Sequence, residues 1–322
     1  MRILFITLSF FTLSSIAQNN ELQIPESPFN TYKVNSECNV IEHTSGTKII
    51  VPKNAFNCQG EVVIKYKEFR DPYDMIIHNI PMHIDVDGKL RQLESGGMFE
   101  IRAECDGKPI QLNPGKEIQV RYKCDKHLDN LEVYKMNEQT NTWSNNNKTI
   151  MEMSFDPNNN SSTRPDLWGN TSIVSEEQMM ADEMETGESF GQHPYFEGIF
   201  KGINISEMGI YNYDALINEE GVIPIEASVE IKGMADLDFQ MMYVVYDSIN
   251  TTYSYSEYNL KNQFVIKPNF SANIFVILRN GFIATFPLSK FLSIDWEEYR
   301  NKKYKFQMEY NPVKPTKKAD LK

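Results

Sequence analysis

The sequence predicts an all-β protein of two β-sandwich domains joined by an acidic linker. Apolar and polar residues alternate with a period of two over many short segments, as at Ile118, Val120 and Tyr122. Gly or Asp-Gly turns separate these segments, which is typical of a sandwich. Aromatic residues make up 12% of the chain, and their side chains fit a pleated, half-buried sheet surface.

The N-terminus has the pattern of a secretory signal peptide, residues 1–17. The positive start Met1-Arg2 precedes an apolar run from Ile3 to Leu13, and the small residues Ser15 and Ala17 precede the predicted cut. The apolar run is too short to cross a bilayer core of roughly 30 Å. We therefore expect a cleaved leader and a mature chain that begins at Gln18. The product would be exported to the periplasm, the extracellular space or the cell surface.

Charge and hydropathy narrow the class of partner. The formal net charge of −12 argues against nucleic acid, because a polyanion binds a basic surface. After the leader, no segment of the sequence is long and apolar enough to predict a transmembrane helix. The first cysteine, Cys38, lies far beyond the predicted cut, so we do not expect a lipid anchor.

The first domain opens with a polar, proline-bearing segment, residues 18–35, which predicts an extended lead-in. Residues 36–145 form the predicted first sandwich. Asp87-Gly88 and Asp106-Gly107 are strong two-residue turn signals between strands. The predicted strands are Asn39–His43, Thr47–Val51, Val62–Phe69, Pro81–Val86, Lys89–Leu93, Phe99–Cys105, Glu117–Cys124 and Leu131–Met136.

All four cysteines, Cys38, Cys58, Cys105 and Cys124, lie in this domain. An even number in an exported protein predicts disulfides, with three possible connectivities. We expect Cys38–Cys58 and Cys105–Cys124, because each pair lies on neighbouring predicted strands. Each bridge would close a loop of about 20 residues, which contributes roughly 3 kcal/mol. A zinc site is the alternative, but the chain has no C-x-x-C pair and no His at ligand spacing beside a Cys.

Residues 146–192 are predicted to be an acidic linker rich in Asn and Met. Thr171 to Gln192 carries six acidic residues and no basic one. Alternation returns over residues 193–311, which predicts the second sandwich, with Asn280-Gly281 as a hairpin turn. After Pro312 the lysine-rich end, residues 312–322, is predicted to be a disordered basic tail.

Five stretches carry a resemblance to known proteins: Gly46–Phe56, Gly60–Phe69, Ile80–Met82, Leu93–Ile101 and Ile205–Asp214. In this order they resemble a group of uncharacterised exported two-domain β-sandwich proteins of Bacteroidota. The first domain is also distantly similar to the β-sandwich module of ankyrins and netrin receptors. The resemblance implies the fold, export and a structural or protein-binding role. Some ankyrin-type modules cut themselves at a His-Phe-Ser tripeptide, which this chain lacks.

A candidate metal site lies around the first hairpin turn. His83, Asp85 and Asp87 are spaced by two and would project from one face of a strand, where they could bind a divalent cation together with His78. The alternative is that the two aspartates solvate the end of a hairpin whose turn is Asp87-Gly88. We prefer the hairpin interpretation.

A candidate binding surface lies in the second domain, at Tyr253, Tyr255 and Tyr258. These tyrosines alternate with polar residues, and exposed rings bury area at low entropic cost when they bind a sugar or a protein. No nucleophile elbow, phosphate loop or cofactor motif occurs in the sequence. We therefore expect an exported, non-enzymatic protein that binds a protein or glycan in the envelope, with no cofactor. The alternative is an envelope hydrolase that uses carboxylates in an inter-domain cleft.

Overall fold

A computed structural model describes residues 24–124, 128, 130–154, 161–165, 171–175, 199–218, 220–232 and 239–322. The predicted signal peptide and much of the predicted linker lie outside these residues. The described chain is mostly β-strand, arranged in several sheets, so the all-β prediction is confirmed. Within the same residues, no helix has the length and apolarity required to cross a bilayer.

The first sheet is built around one long strand, β6, at Lys89–Cys105. Its turn at Asp87-Gly88 has positive φ at both residues, which confirms the predicted hairpin. Two short strands, β5 (His83–Val86) and β7 (Lys108–Pro109), pair with β6. The main strand order is β1 (Asn30–Val34), β4 (Val62–Phe69), β6, β15 (Gly209–Leu216), β9 (Glu132–Asn137) and β10 (Thr142–Asn145).

The second sheet shares a hydrophobic core with the inner face of the first. Alternate residues point into this core, for example Ile64 and Ile101 from the first sheet and Val120 and Ile203 from the second. A separate hairpin joins β12 (Ser161–Pro165) to β13 (Thr171–Ser175). The order of the second sheet is β11 (Met151–Ser154), β14 (Ile199–Ile205), β8 (Ile118–Cys124), β3 (Lys48–Val51) and β2 (Asn39–Glu42). We call these two sheets the two-sheet body.

The pairing of these strands corrects the predicted domain boundary. β14 and β15 were assigned to the second domain, but β14 pairs with β8 and β15 pairs with β6 and β9. β11, within the predicted linker, pairs with β14. Alternation within a strand does not encode which strand it will pair with, so the polar segment between β11 and β14 was mistaken for a domain boundary.

The outer face of the first sheet is covered by a short helix, α1, at Pro72–Ile77. Asp71 caps it by accepting hydrogen bonds from the amides of Tyr73 and Asp74, and Pro72 occupies its first turn. Beneath α1 and the loop that follows lies an apolar cluster that includes Met75, Met82, Met98 and Trp143.

A six-stranded sheet forms the rest of the described chain. Its large core is closed by short helices and by a two-stranded ribbon of β16 (Ile223–Pro224) and β20 (Val265–Ile266). The second layer is therefore not the second sheet that the predicted sandwich requires. The helices are α2 (Glu257–Asn262) and α3 (Leu288–Ser293), with 3-10 turns at Asp247–Ile249 and Trp296–Tyr299. The strand order is β17 (Glu226–Ile231), β23 (Lys303–Asn311), β22 (Ile283–Phe286), β21 (Asn273–Leu278), β18 (Phe239–Tyr246) and β19 (Thr251–Tyr255).

The C-terminal tail is folded, and the prediction of disorder for residues 312–322 was wrong. Lys318–Leu321 forms a 3-10 turn, and Leu321 is 1% exposed, packed with Tyr73 and Phe275 between α1 and the six-stranded sheet. Lys318 Nζ lies 2.8 Å from a carboxylate oxygen of Asp74. Lys318, one of the lysines that suggested a solvated tail, therefore meets a carboxylate on α1, and Leu321 supplies the apolar anchor.

The cysteine pairing also differs from the prediction. The disulfide joins Cys58 to Cys105, with the two Cα atoms 6.0 Å apart, at the end of the β4–β6 pair. Cys38 is exposed and Cys124 is buried, and neither belongs to this bridge. Cys124 lies on β8 in the second sheet and faces the shared core, whereas Cys105 ends a strand of the first sheet. Proximity in sequence was therefore a poor guide to proximity in space.

Candidate functional site

A pocket of about 300 Å³ lies where the two-sheet body meets the six-stranded sheet. We call it the junction pocket. One wall is α1 with the loop into β5 and the β9–β10 turn, and the other is β18 with β19. Its apolar lining residues are Met75, Ile76, Ile80, Pro81, Met82 and Met241. Its polar lining residues are Asn79, His83, Thr140, Asn141, Tyr243, Thr252 and Ser254.

Strand periodicity decides which side chains of the six-stranded sheet reach the pocket. In the register of β18 with β19, Tyr243 is opposite Ser254 and Val245 is opposite Thr252, so these residues share one face. Val245 packs against α1 and the tail, which identifies this face as the one toward the two-sheet body. Thr252 and Ser254 therefore point toward the junction.

The opposite wall is positioned by the β5–β6 pair. His83 is opposite Gln92 in the register, and Gln92 reaches across to donate a hydrogen bond to the carbonyl of Thr252 at 2.7 Å. Thr251 Oγ1 donates to the carbonyl of Leu93 at 2.6 Å. These bonds and the apolar cluster around Tyr73 hold the two walls together, so the pocket is preformed in the folded chain.

Among the polar side chains of the junction pocket, the imidazole of His83 and the hydroxyls of Tyr243 and Ser254 have no hydrogen-bond partner among the described residues. The hydroxyl of Thr252 also has none, but it is fully buried and presents no surface to the pocket. Burial lowers the pKa of His83 and raises that of Tyr243 to about 12, so both side chains are neutral near pH 7. The pocket thus offers neutral donors and acceptors that the fold itself does not use.

A chain of buried hydrogen bonds runs beside the junction. The amide of Gly97 donates to Ser95 Oγ at 3.2 Å, Ser95 Oγ donates to Asn212 Oδ1 at 2.8 Å, and Asn212 Nδ2 donates to Asp214 Oδ2 at 2.5 Å. Asn250 donates to the carbonyl of Ser95 and ties this chain to the six-stranded sheet. Asp214 is fully buried, and burial raises its pKa well above the usual range.

The structure does not bring the three predicted tyrosines together as a surface. Tyr255 is 5% exposed, with its hydroxyl bonded to the main chain of Val265, and Tyr253 is half-buried against the same core. Tyr258 alone is well exposed, on α2. The alternation along β19 was identified correctly but in the wrong phase, because Tyr253 and Tyr255 face the core of the six-stranded sheet.

The predicted metal ligands are also separated. His83 lines the junction pocket, whereas Asp85 and Asp87 are exposed at the hairpin tip, where Asp85 accepts a hydrogen bond from the amide of Gly88. His78 bonds the carbonyl of Asp74. Across the described residues, no three His, Cys, Asp or Glu side chains are placed to hold a metal ion. The aspartates act as hairpin residues, and only His83 belongs to the candidate site.

A larger pocket of about 520 Å³ lies at the β9–β10 side of the two-sheet body. Its polar side chains are already engaged within the chain. Asn145 Nδ2 donates to Glu132 at 2.8 Å, and Lys148 pairs with Glu117 at 2.8 Å. It is therefore a weaker candidate than the smaller junction pocket, where His83, Tyr243 and Ser254 have no such partners among the described residues.

A Ser-His-Glu cluster closes one end of the two-sheet body. His43 Nδ1 and Ser45 Oγ are 2.7 Å apart, and Ser45 Oγ donates to Glu68 at 2.9 Å. Glu68 also accepts from Tyr66 and Arg70, so its buried carboxylate is held by three side-chain donors. Because the serine proton is directed to this carboxylate, the cluster anchors the β2–β3 turn to β4 and does not activate a nucleophile.

Sequence reasoning missed Thr252, Ser254 and Tyr243 as site residues. One signal was present: Thr252 and Ser254 alternate with the tyrosines, so whichever set is in the core, the other set faces outward. The contribution of Gln92 had no local signal, because its partner lies 160 residues away. No family model matches the chain, and comparisons with curated proteins and with solved structures find none that is similar.

Proposed function

We propose that this protein is an exported, non-enzymatic binding protein of the bacterial envelope that holds a glycan or protein ligand in the junction pocket. The leader and the resemblance to exported Bacteroidota proteins support export, and two layered β bodies suit a binding scaffold. The observation that carries the proposal is the set of neutral polar groups of His83, Tyr243 and Ser254 that line one preformed pocket without partners among the described residues. Because the fold leaves these groups without partners, a ligand or water is the expected partner.

The lining favours binding over hydrolysis. A glycosidase of the usual kind needs two carboxyl groups about 5 to 9.5 Å apart. The described residues that line the junction pocket include no Asp or Glu. This pocket therefore does not supply the carboxylates that the hydrolase alternative requires.

The test uses a variant that blocks the pocket and a matched variant that does not. Ser254 is exposed at the pocket and Tyr258 is 73% exposed outside its lining, so Ser254→Trp and Tyr258→Trp add the same ring at two exposed sites. Each mature protein would be immobilised, exposed to envelope extract, and its retained glycans and proteins identified by mass spectrometry. We expect wild type and Tyr258→Trp to retain the same species and Ser254→Trp to lose them.

Two outcomes would contradict the proposal. Equal retention by all three proteins would place binding elsewhere. Conversion of a retained species to a cleaved product by wild type, and not by a carboxylate variant, would identify the protein as a hydrolase.

A further inference from the structure

We propose that the junction pocket binds one ring of an uncharged sugar, held by side-chain hydrogen bonds on its rim and by apolar contact with its C–H face. The inference rests on the proposed function and specifies its ligand class. The recognising groups would be His83, Tyr243 and Ser254.

Hydrogen-bonding capacity points to a hydroxyl-rich ligand. A neutral imidazole, a phenol and an aliphatic hydroxyl can each donate and accept, as can a sugar hydroxyl. His83, Tyr243 and Ser254 have no protein partner among the described residues, so a ligand hydroxyl can pair with each of them without breaking a hydrogen bond of the fold.

Charge excludes acidic or basic ligand groups from the enclosed part of the site. No Asp, Glu, Lys or Arg is among the described residues of its lining. Burial keeps His83 neutral by lowering its pKa. A charged group moved from water into this pocket would lose hydration without gaining a counter-charge, which is strongly unfavourable.

Shape and apolar surface fit a ring. A volume of about 300 Å³ is at the small end of ligand sites and equals that of about ten water molecules. The walls contributed by Ile80, Pro81, Met82 and Met241 suit the C–H face of a pyranose, while the polar side chains occupy other parts of the same lining. The pocket is half-enclosed, so further units of a glycan chain can extend into solvent.

Main-chain geometry disfavours an extended peptide at this place. A peptide would add to the edge strand β19 through main-chain hydrogen bonds. The carbonyl of Thr252 already accepts from Gln92 Nε2 at 2.7 Å, and Asn250 is tied to Ser95. This part of the edge is therefore occupied by the two-sheet body, and the available contacts are made by side chains.

The experiment measures affinity of the mature full-length protein for defined probes by calorimetry and on a glycan array. The probes are short neutral oligosaccharides of glucose, galactose, mannose and xylose, the corresponding uronic-acid oligosaccharides, and a library of neutral and charged peptides. We expect binding to at least one neutral series, and at least tenfold weaker binding to its uronic-acid counterpart.

Two variants remove one hydroxyl each without adding bulk, Ser254→Ala and Tyr243→Phe. Each should weaken neutral-sugar binding about three- to tenfold, the size expected for one net hydrogen bond. Tyr258→Phe removes a hydroxyl from an exposed ring outside the pocket lining and should leave the affinity unchanged. Thr252→Val should melt at the same temperature as wild type or higher, because it removes a buried hydroxyl with no partner among the described residues.

The outcomes separate this inference from the proposed function. If wild type binds a peptide but no sugar, and Ser254→Trp abolishes this binding, the sugar assignment is overturned and the pocket remains the binding site. Sugar binding unchanged in Ser254→Ala, Tyr243→Phe and Ser254→Trp would overturn both. Stronger binding of uronic acids than of neutral sugars would overturn the charge argument.

Discussion

The pairing Cys58–Cys105 predicts a large and specific loss of stability when the bridge is removed. Its sequence separation is 47 residues, and a loop of that length contributes about 4 kcal/mol at 25 °C in the chain-entropy model. The two bridges predicted from the sequence would each close a loop of about 20 residues and together contribute about 6 kcal/mol. The size of the loss therefore distinguishes the two connectivities.

The assay is urea unfolding of the oxidised mature protein and of the double variant Cys58→Ala/Cys105→Ala. We expect the double variant to lose about 4 kcal/mol in the free energy of unfolding. Its urea dependence should steepen, because the unfolded chain exposes more surface without the cross-link. Reductant should lower the stability of wild type toward that of the double variant and should not affect the variant.

Cys38→Ala is the matched control, because Cys38 is exposed and does not belong to the bridge. It should unfold like wild type, and peptide mapping should still recover one cross-linked pair that contains Cys58 and Cys105. Loss of the cross-link in Cys38→Ala would refute the assigned pairing. A reductant-sensitive loss near 6 kcal/mol in wild type would refute it as well.

Three further predictions concern the buried acid, the tail and the leader. Burial raises the pKa of Asp214 in the folded state, whereas the same carboxyl ionises near pH 3.9 in the unfolded chain. The stability of wild type should therefore fall as the pH rises above 4. Asp214→Asn does not ionise, so its stability relative to wild type should increase by up to about 1.4 kcal/mol per pH unit. Urea unfolding from pH 4 to 7 tests this. Asp87→Asn is the control, because Asp87 is exposed and Asn also tolerates the positive φ at this position, and it should not show the trend. Leu321→Ala should cost about 2 to 5 kcal/mol in thermal or urea unfolding, the range for a buried leucine, and an unchanged stability would show that the tail is not anchored. N-terminal sequencing of protein recovered from the envelope should begin at Gln18, and a retained Met1 would contradict export.

Strand positions were predictable because alternation and turn residues are local. Val62–Phe69 was predicted with the bounds that β4 has, and the turn at Asp87-Gly88 follows from residues that adopt positive φ at low cost. The site was less predictable. His83 was identified for its imidazole, but as a metal ligand, and the tyrosines of β19 were assigned to the wrong face. Periodicity gives two faces for a strand, and only the neighbouring layers determine which face is the core.

By itself, the sequence determines the all-β character of this protein, through a side-chain period of two and through turn residues at fixed places. These are properties of a few neighbouring residues, so they survive without knowledge of the fold. Only the tertiary structure decided that β15 joins the first sheet, that Cys58 meets Cys105, and that Ser254 and His83 line the same pocket. Each of these depends on contacts between residues far apart in the chain, whose geometry is set by the packing of whole sheets and not by any local pattern.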